Sequence, residues 1–367
     1  MAAAPPDLAC WAWTHADRLA GLGAPQWELL IRQARSANLL ARLAQRLADQ
    51  GLLASVPDAP RRHLLEMLTV VAAQQREIVR EIGLILDALR PLGLPVVLLK
   101  GAAYVATALP AAQGRLFSDI DILVPRSALN QVESHLTLGG WMTTQHTPYD
   151  QRYYREWMHE LPPMQHLRRQ TVLDVHHNIL PLTVRQVPDA QRLLAGARSV
   201  PGLPGAAVLA PADMVLHSMA HLFHNDDLSH GLRDLTDLDL LLRHFSAEPG
   251  FWDGLFERAA QMHLQRTLHY GLWATHHLLA TPVPEAALAL ARRSAAPAPL
   301  DALMRSLWRR ALRTPHRTAA LRFDASARFA LYGRAHWLRM PPLMLARHLA
   351  TKAWMRATAQ GDAAAPA

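Results

Sequence analysis

The sequence contains a single cysteine, Cys10, among 367 residues. An internal disulfide and a cysteine metal cluster are therefore excluded. Charged residues make up only 19% and aromatic residues 6%, whereas half of the chain is hydrophobic. So much apolar surface and so little charge exclude a disordered chain. No run of about 18 uninterrupted apolar residues occurs, so no membrane span is expected. Met1 to Pro6 shows no basic stretch followed by an apolar run, so no secretory signal is expected and the expected compartment is the cytoplasm.

Acidic residues are also in deficit. There are 38 Lys plus Arg against 30 Asp plus Glu, a formal charge of +8. That surplus fits a polyanionic partner such as nucleic acid, nucleotide or anionic lipid. A G·C-rich genome, which raises Arg, Ala, Pro and Leu together, accounts for it equally well.

The length suggests roughly two to three domains. Residues 1–90 read as a helical region, with Leu39, Leu40, Leu43 and Leu47 and then Leu64, Leu68, Val71, Ile78 and Ile82 at helical spacing. The pattern changes at Pro91. Short apolar runs at 94–99, 120–124 and 141–147 predict strands, and 164–167 with 171–176 predict the arms of a hairpin. Helices are expected at 102–109 and 126–138 between them. Residues 91–200 are thus expected to be an α/β core. A helical lobe is expected over 201–285, and a basic helical region over 286–367 with a disordered end at 361–367. The fold class is α+β, a small mixed β-sheet flanked by N-terminal and C-terminal helical regions.

The chemistry concentrates in Asp119-Ile120-Asp121-Ile122-Leu123-Val124. Alternate strand residues share a face, so Asp119 and Asp121 project together while Ile120 and Ile122 enter the core. Two carboxylates this close repel unless a cation lies between them. A hard divalent ion, normally Mg2+, answers that need. Asp174, inside the apolar run Val172-Leu173-Asp174-Val175, is the candidate third carboxylate, completing a two-metal clamp for in-line phosphoryl displacement. Upstream, Leu99-Lys100-Gly101 places a glycine turn after a strand. Backbone amides of Gly101 and Ala102 are suited to triphosphate oxygens. Lys100 offers a point charge and Arg115 a phosphate or carboxylate partner. Lys100 and Arg115 pairing with the aspartates in a purely structural network is the competing reading.

Lys100-Gly101, Arg115, Asp119-Ile120-Asp121 and Leu173-Asp174-Val175-His176 together resemble a bacterial nucleotidyltransferase family described as uncharacterised, within the DNA polymerase beta-like superfamily. The resemblance covers roughly residues 30–270. It implies a nucleotidyltransferase core in which Asp119, Asp121 and Asp174 bind two Mg2+ ions and an NMP unit passes from an NTP to an acceptor. Superfamily members carry a serine or second glycine in the turn; here the turn reads Lys100-Gly101-Ala102, so triphosphate binding departs from the common pattern. The resemblance implies a small-molecule or peptide acceptor as readily as a polyanionic one. A catalytically inactive nucleotide-binding adaptor and a toxin-like RNA or protein nucleotidyl modifier are the alternatives.

Other features compete for attention. His176 follows Asp174 on the same strand face, where it either touches a phosphate or acceptor or ends the strand in solvent. His217, His221 and His224 share one helix face. They form either a zinc site or a wall of the cleft, with His221 near the substrate. Asp234, Asp237 and Asp239 read as a solvated or ion-paired helix face. Arg258 and His263 match a loose ribonuclease pattern expected by chance. The Arg-rich stretches after residue 300 read as an exposed lobe face, an anionic-membrane surface or a polyanion site.

Overall fold

Apolar residues at three- and four-residue spacing build the N-terminal helices. In the computed structural model, which describes residues 5–145 and 147–351, these are α1 (Leu8–Thr14), α2 (Ala24–Ser36) and α3 (Leu40–Asp49). The Asp7 carboxylate caps α1 by accepting from the Cys10 amide. Together the three bury Trp27, Leu30, Leu43 and Leu47 in a cluster of their own. The 32-residue α4 (Asp58–Leu89) tolerates Pro60 because it falls in the first turn, where amides have no intrahelical acceptor. Its first half gives Leu64 to the N-terminal cluster. Its second half gives Ile78, Ile82, Ile85 and Leu89 to the main core, so α4 splints the two.

The sheet comprises β1 (Val96–Leu98), β2 (Ile120–Leu123), β3 (Trp141–Thr143), β4 (Met164–His166), β5 (Val172–His176), β6 (Arg198–Ser199) and β7 (Ala206–Val208). Its order is β3-β4-β5-β2-β1-β7-β6. The β2–β5 and β1–β7 pairs are parallel and the others antiparallel, giving the mixed sheet and α+β class expected. β1 and β2 are buried throughout, which explains why they read as continuous apolar runs broken only by Asp121. Between strands lie α5 (Lys100–Ala106), α6 (Leu129–Leu138), α7 (Pro148–Arg152) and α8 (Ala190–Ala195).

Two differences from the sequence reading matter. The strand expected at 141–147 stops at Thr143, and the chain turns into α7 and then a π-helical turn, Tyr153–Trp157. β6 and β7 were not expected. β7 lies beyond the 91–200 segment and still pairs with β1, extending the sheet to Val208. Three residues are too few to display a period.

The C-terminal half is helical: α9 (Pro211–His224), α10 (Gly231–Phe245), α11 (Phe251–Gln261), α12 (Gln265–Leu279), α13 (Glu285–Arg292), α14 (Ala298–Ala311) and α15 (Asp324–Arg339). Pro211 opens α9, its fixed φ suiting the first helical position. α9 is almost wholly buried, because α10, α11, α12 and α15 all pack on it. α14 buries Met304 and Trp308 and so belongs to the lobe. Among the described residues no helix is long and apolar enough to cross a membrane. Residues 361–367 lie outside the described residues.

Candidate active site

The parallel pairing of β2 and β5 sets Asp121 directly opposite Asp174. Asp119 stands one residue before β2 and two before Asp121, so the pleat returns it to the same face. One carboxylate oxygen from each of the three lies within 4.8 Å of the others. The structure thus brings together the three aspartates singled out in the sequence.

Their surroundings differ. Asp121 is only 4% exposed. Its Oδ1 accepts from Lys100 Nζ at 3.1 Å and faces His176 Nε2 at 2.9 Å. Burial works to raise its pKa, but Lys100 and then His176 outweigh it and hold the carboxyl well below the ordinary value. Asp174 has no such help. Its Oδ1 is buried without a hydrogen-bond partner among the described residues. Burial, then the Asp121 and Glu160 charges, push it up to about 8. An orphaned buried carboxylate oxygen beside two more carboxylates fits an oxygen-coordinated cation, which would supply the missing partner.

Lys100 lies at the base of this group. Burial works against its charge, yet Asp121 and then Asp119 raise its pKa above the ordinary value, so it stays cationic at neutral pH. The turn at Lys100 departs from the sequence reading. The left-handed backbone (φ 42°) falls on Lys100, and Gly101 has no positive φ. Gly101 is required for another reason: an added Cβ would stand 2.6 Å from the Phe117 ring and 2.7 Å from Arg115 Nη1. Gly101 and Ala102 are buried and do not line the cavity at the aspartates.

Arg115 is a correction as well. It was expected on the phosphate wall and is instead buried, 7% exposed, behind it. Its Nε donates to Asp237 Oδ2 at 3.1 Å, and its guanidinium lies over the Phe117 ring at 5.1 Å. Asp237 accepts a second buried guanidinium, Arg42 Nη1, at 2.6 Å. The helix face of Asp234, Asp237 and Asp239 is buried rather than solvated, with Arg233 on Asp234 and Arg243 on Asp239.

The cavity at the aspartates measures about 320 Å³. That is at the lower end of the roughly 300–1,000 Å³ usual for small-molecule sites. Lys100, Asp119, Asp121, Asp174 and His176 line one side of it. α9 supplies His217, His221 and His224 to the other. These histidines do not form one of the groups of metal-ligand geometry among the described residues. His224 Nε2 bonds Thr267 Oγ1 at 3.0 Å and His221 approaches Asp234 at 3.8 Å. Burial, then the Lys100 ammonium, keep His217 neutral. Arg258 is committed to Asp213 at 2.6 Å, and His263 lies in a separate turn, so the ribonuclease-like spacing builds nothing.

Several lining residues escaped the sequence reading. Tyr153 and Tyr154 reach the cavity from the π-helical turn, a rare local geometry that re-aims side chains. His159 and Glu160 follow, held to β5 by an isolated Glu160–His176 bridge. Asp226 and Arg339, 2.7 Å apart, complete the lining. The adjacent His159-Glu160 pair was the one visible signal, and nothing in its spacing tied it to His176.

A model of a family described as "Uncharacterised nucleotidyltransferase" matches residues 23–280 of the chain, which contain all three aspartates. No curated protein and no solved structure matches the chain.

Proposed function

The chain belongs to the uncharacterised nucleotidyltransferase family, and on that premise we propose that it transfers an NMP unit from a nucleoside triphosphate to an acceptor, with Mg2+ held by Asp119, Asp121 and Asp174. The observation that carries this reading is the convergence of the three carboxylates around the orphaned Asp174 Oδ1. When bound, Mg2+ would neutralise triphosphate charge and fix the reacting oxygens for in-line displacement.

The remaining roles belong to side chains. Lys100, cationic and at the cavity wall, would contact the phosphates. His176 holds Asp121 in place through its Nε2. Asp174, which lines the cavity, would receive the acceptor hydroxyl's proton as the acceptor oxygen bonds the α-phosphorus and pyrophosphate departs. His221 and His217 form the opposite wall, where the base or acceptor would lie.

The test is pyrophosphate release from each common ribonucleoside triphosphate with Mg2+. Asp174→Asn keeps the shape and removes the charge, and a fall of about 100-fold or more is expected. Equal turnover in both proteins would remove the reading. Tight nucleotide binding with no pyrophosphate release would instead favour an inactive nucleotide-binding adaptor. Retention of tRNA that weakens steeply with salt would favour a polyanionic acceptor over a small molecule or peptide.

A further inference from the structure

We propose that the chain carries a second metal site, built from His159, Glu160 and His176, that takes a nitrogen-preferring divalent ion, Zn2+ or a close relative. Ligand atoms of the three residues lie within 4.8 Å of one another. The proposal stands on these side chains and does not rest on the nucleotidyl-transfer reading.

His176 joins the cluster to the aspartates. It is 2% exposed, so both ring nitrogens must be accounted for inside the protein. Nε2 lies 2.9 Å from Asp121 Oδ1, a carboxylate that accepts and therefore fixes the proton on Nε2. The other nitrogen, Nδ1, is open to a proton or to a metal ion. It lies 3.3 Å from Glu160 Oε2 and has no hydrogen-bond partner among the described residues. A divalent cation between Nδ1 and Glu160, taking the place of a proton, would engage both. His159 adds a second buried nitrogen without a partner, Nδ1, on a ring whose centroid is 5.2 Å from that of His176.

The backbone builds this cluster. The amide of Leu161 donates to the Val175 carbonyl, and that of His177 to the His159 carbonyl, each at 2.8 Å. Residues 159–161 are thus laced to β5, and the three side chains meet because of that pairing. An imidazole whose far nitrogen is held by a carboxylate is the usual support of a metal-ligating histidine, setting its tautomer and raising its basicity. Here Asp121 is that support.

Donor chemistry separates this group from the neighbouring aspartates. Two imidazoles and one carboxylate suit Zn2+ and similar ions, and three protein ligands leave a fourth position open. Mg2+ prefers all-oxygen surroundings, which the aspartates offer. All three residues line the same cavity, so the open position would face whatever enters it. Asp121 links the two groups, touching one as a ligand and the other through His176.

The experiment titrates Zn2+ against a competing chromophoric chelator, using the 367-residue chain stripped of metal, and reads Mg2+ binding separately by calorimetry. Wild type should bind Zn2+ in the presence of excess Mg2+. His159→Ala and the shape-preserving Glu160→Gln should each weaken Zn2+ by about 100-fold or more, since even supporting residues cost 10–100-fold. Both should leave Mg2+ affinity unchanged. Asp119→Asn should do the reverse. Circular dichroism of each metal-free variant establishes that it is folded. Zn2+ affinity that follows Asp119→Asn and ignores both His159→Ala and Glu160→Gln would place the ion among the aspartates and overturn the proposal. Failure of folded wild type to bind Zn2+ would overturn it equally.

Discussion

Asp174 is the residue whose energetics are most exposed to measurement. Its folded pKa of about 8 lies above the ordinary 3.8. Between about pH 4 and pH 8 the folded protein therefore holds a proton that the unfolded chain has released. Metal-free protein should lose stability as pH rises through that window, the opposite of an ion-paired carboxylate. Melting curves should show Tm falling from about pH 5 to about pH 8, with Asp174→Asn flattening the fall. A divalent ion needs the carboxylate deprotonated, so the Tm gain from Mg2+ should grow over the same range. A constant offset between wild type and Asp174→Asn at every pH would show that Asp174 is not protonated in the folded protein. Its neighbour Arg115 separates structural from binding roles at the same scale. Arg115→Ala should cost stability and leave nucleotide affinity unchanged, because its guanidinium is spent on Asp237 and the Phe117 ring. Weaker nucleotide binding at unchanged Tm would return Arg115 to the cleft.

At the scale of elements, the buried Asp237 deserves its own experiment because it joins three of them. From α10 it accepts Arg42 of α3 and Arg115 of the loop before β2. Arg42 also donates to Thr236 Oγ1 and the Ala111 carbonyl, so the network ties the N-terminal helices to the lobe across the core. Asp237→Asn leaves two buried guanidiniums without a carboxylate, and about 3–5 kcal/mol of stability should be lost in urea unfolding. A loss near zero would mean that water reaches the pair. This network also shows where the sequence stops being readable. The aspartates of β2 and β5 could be read because a carboxylate inside an apolar strand is locally anomalous, whatever lies around it. Arg115 looked like a phosphate ligand because its partner is 122 positions away and nothing local announces it. Leu99-Lys100-Gly101 suggests a turn glycine, whereas Gly101 serves to admit the Phe117 ring. β6 and β7, at two and three residues, carry no period, and the π-helical turn that delivers Tyr153 and Tyr154 has no pattern of its own.

At the scale of the molecule, the cavity is assembled from segments distant in sequence: the β2–β5 pair, the 153–160 segment, α9 and the end of α15. A ligand spanning them stabilises the folded state by mass action, by about 2.7 kcal/mol at a hundredfold excess over Kd. The contribution of α15 is separable, because Arg339 lies outside the family-matched residues 23–280 and still lines the cavity. Its Nη2 holds Asp226 Oδ1 at 2.7 Å, with the Asp226 side chain 28% exposed. The pair is mostly buried, so Arg339→Ala should melt below wild type without ligand, by more than the roughly 1 kcal/mol of an exposed pair. The readout is therefore each protein's ligand-dependent gain in Tm rather than its absolute Tm. Mg2+ alone, which needs only the aspartates, should raise Tm equally in both proteins. A triphosphate carries negative charge along its whole length, so if it extends towards α15 the additional gain from NTP should be smaller in Arg339→Ala. Identical NTP-dependent gains would assign Arg339 to Asp226 alone. The nucleotide would then be bound wholly by the family-matched segment, and the part of the cavity at Arg339 would be free for the acceptor.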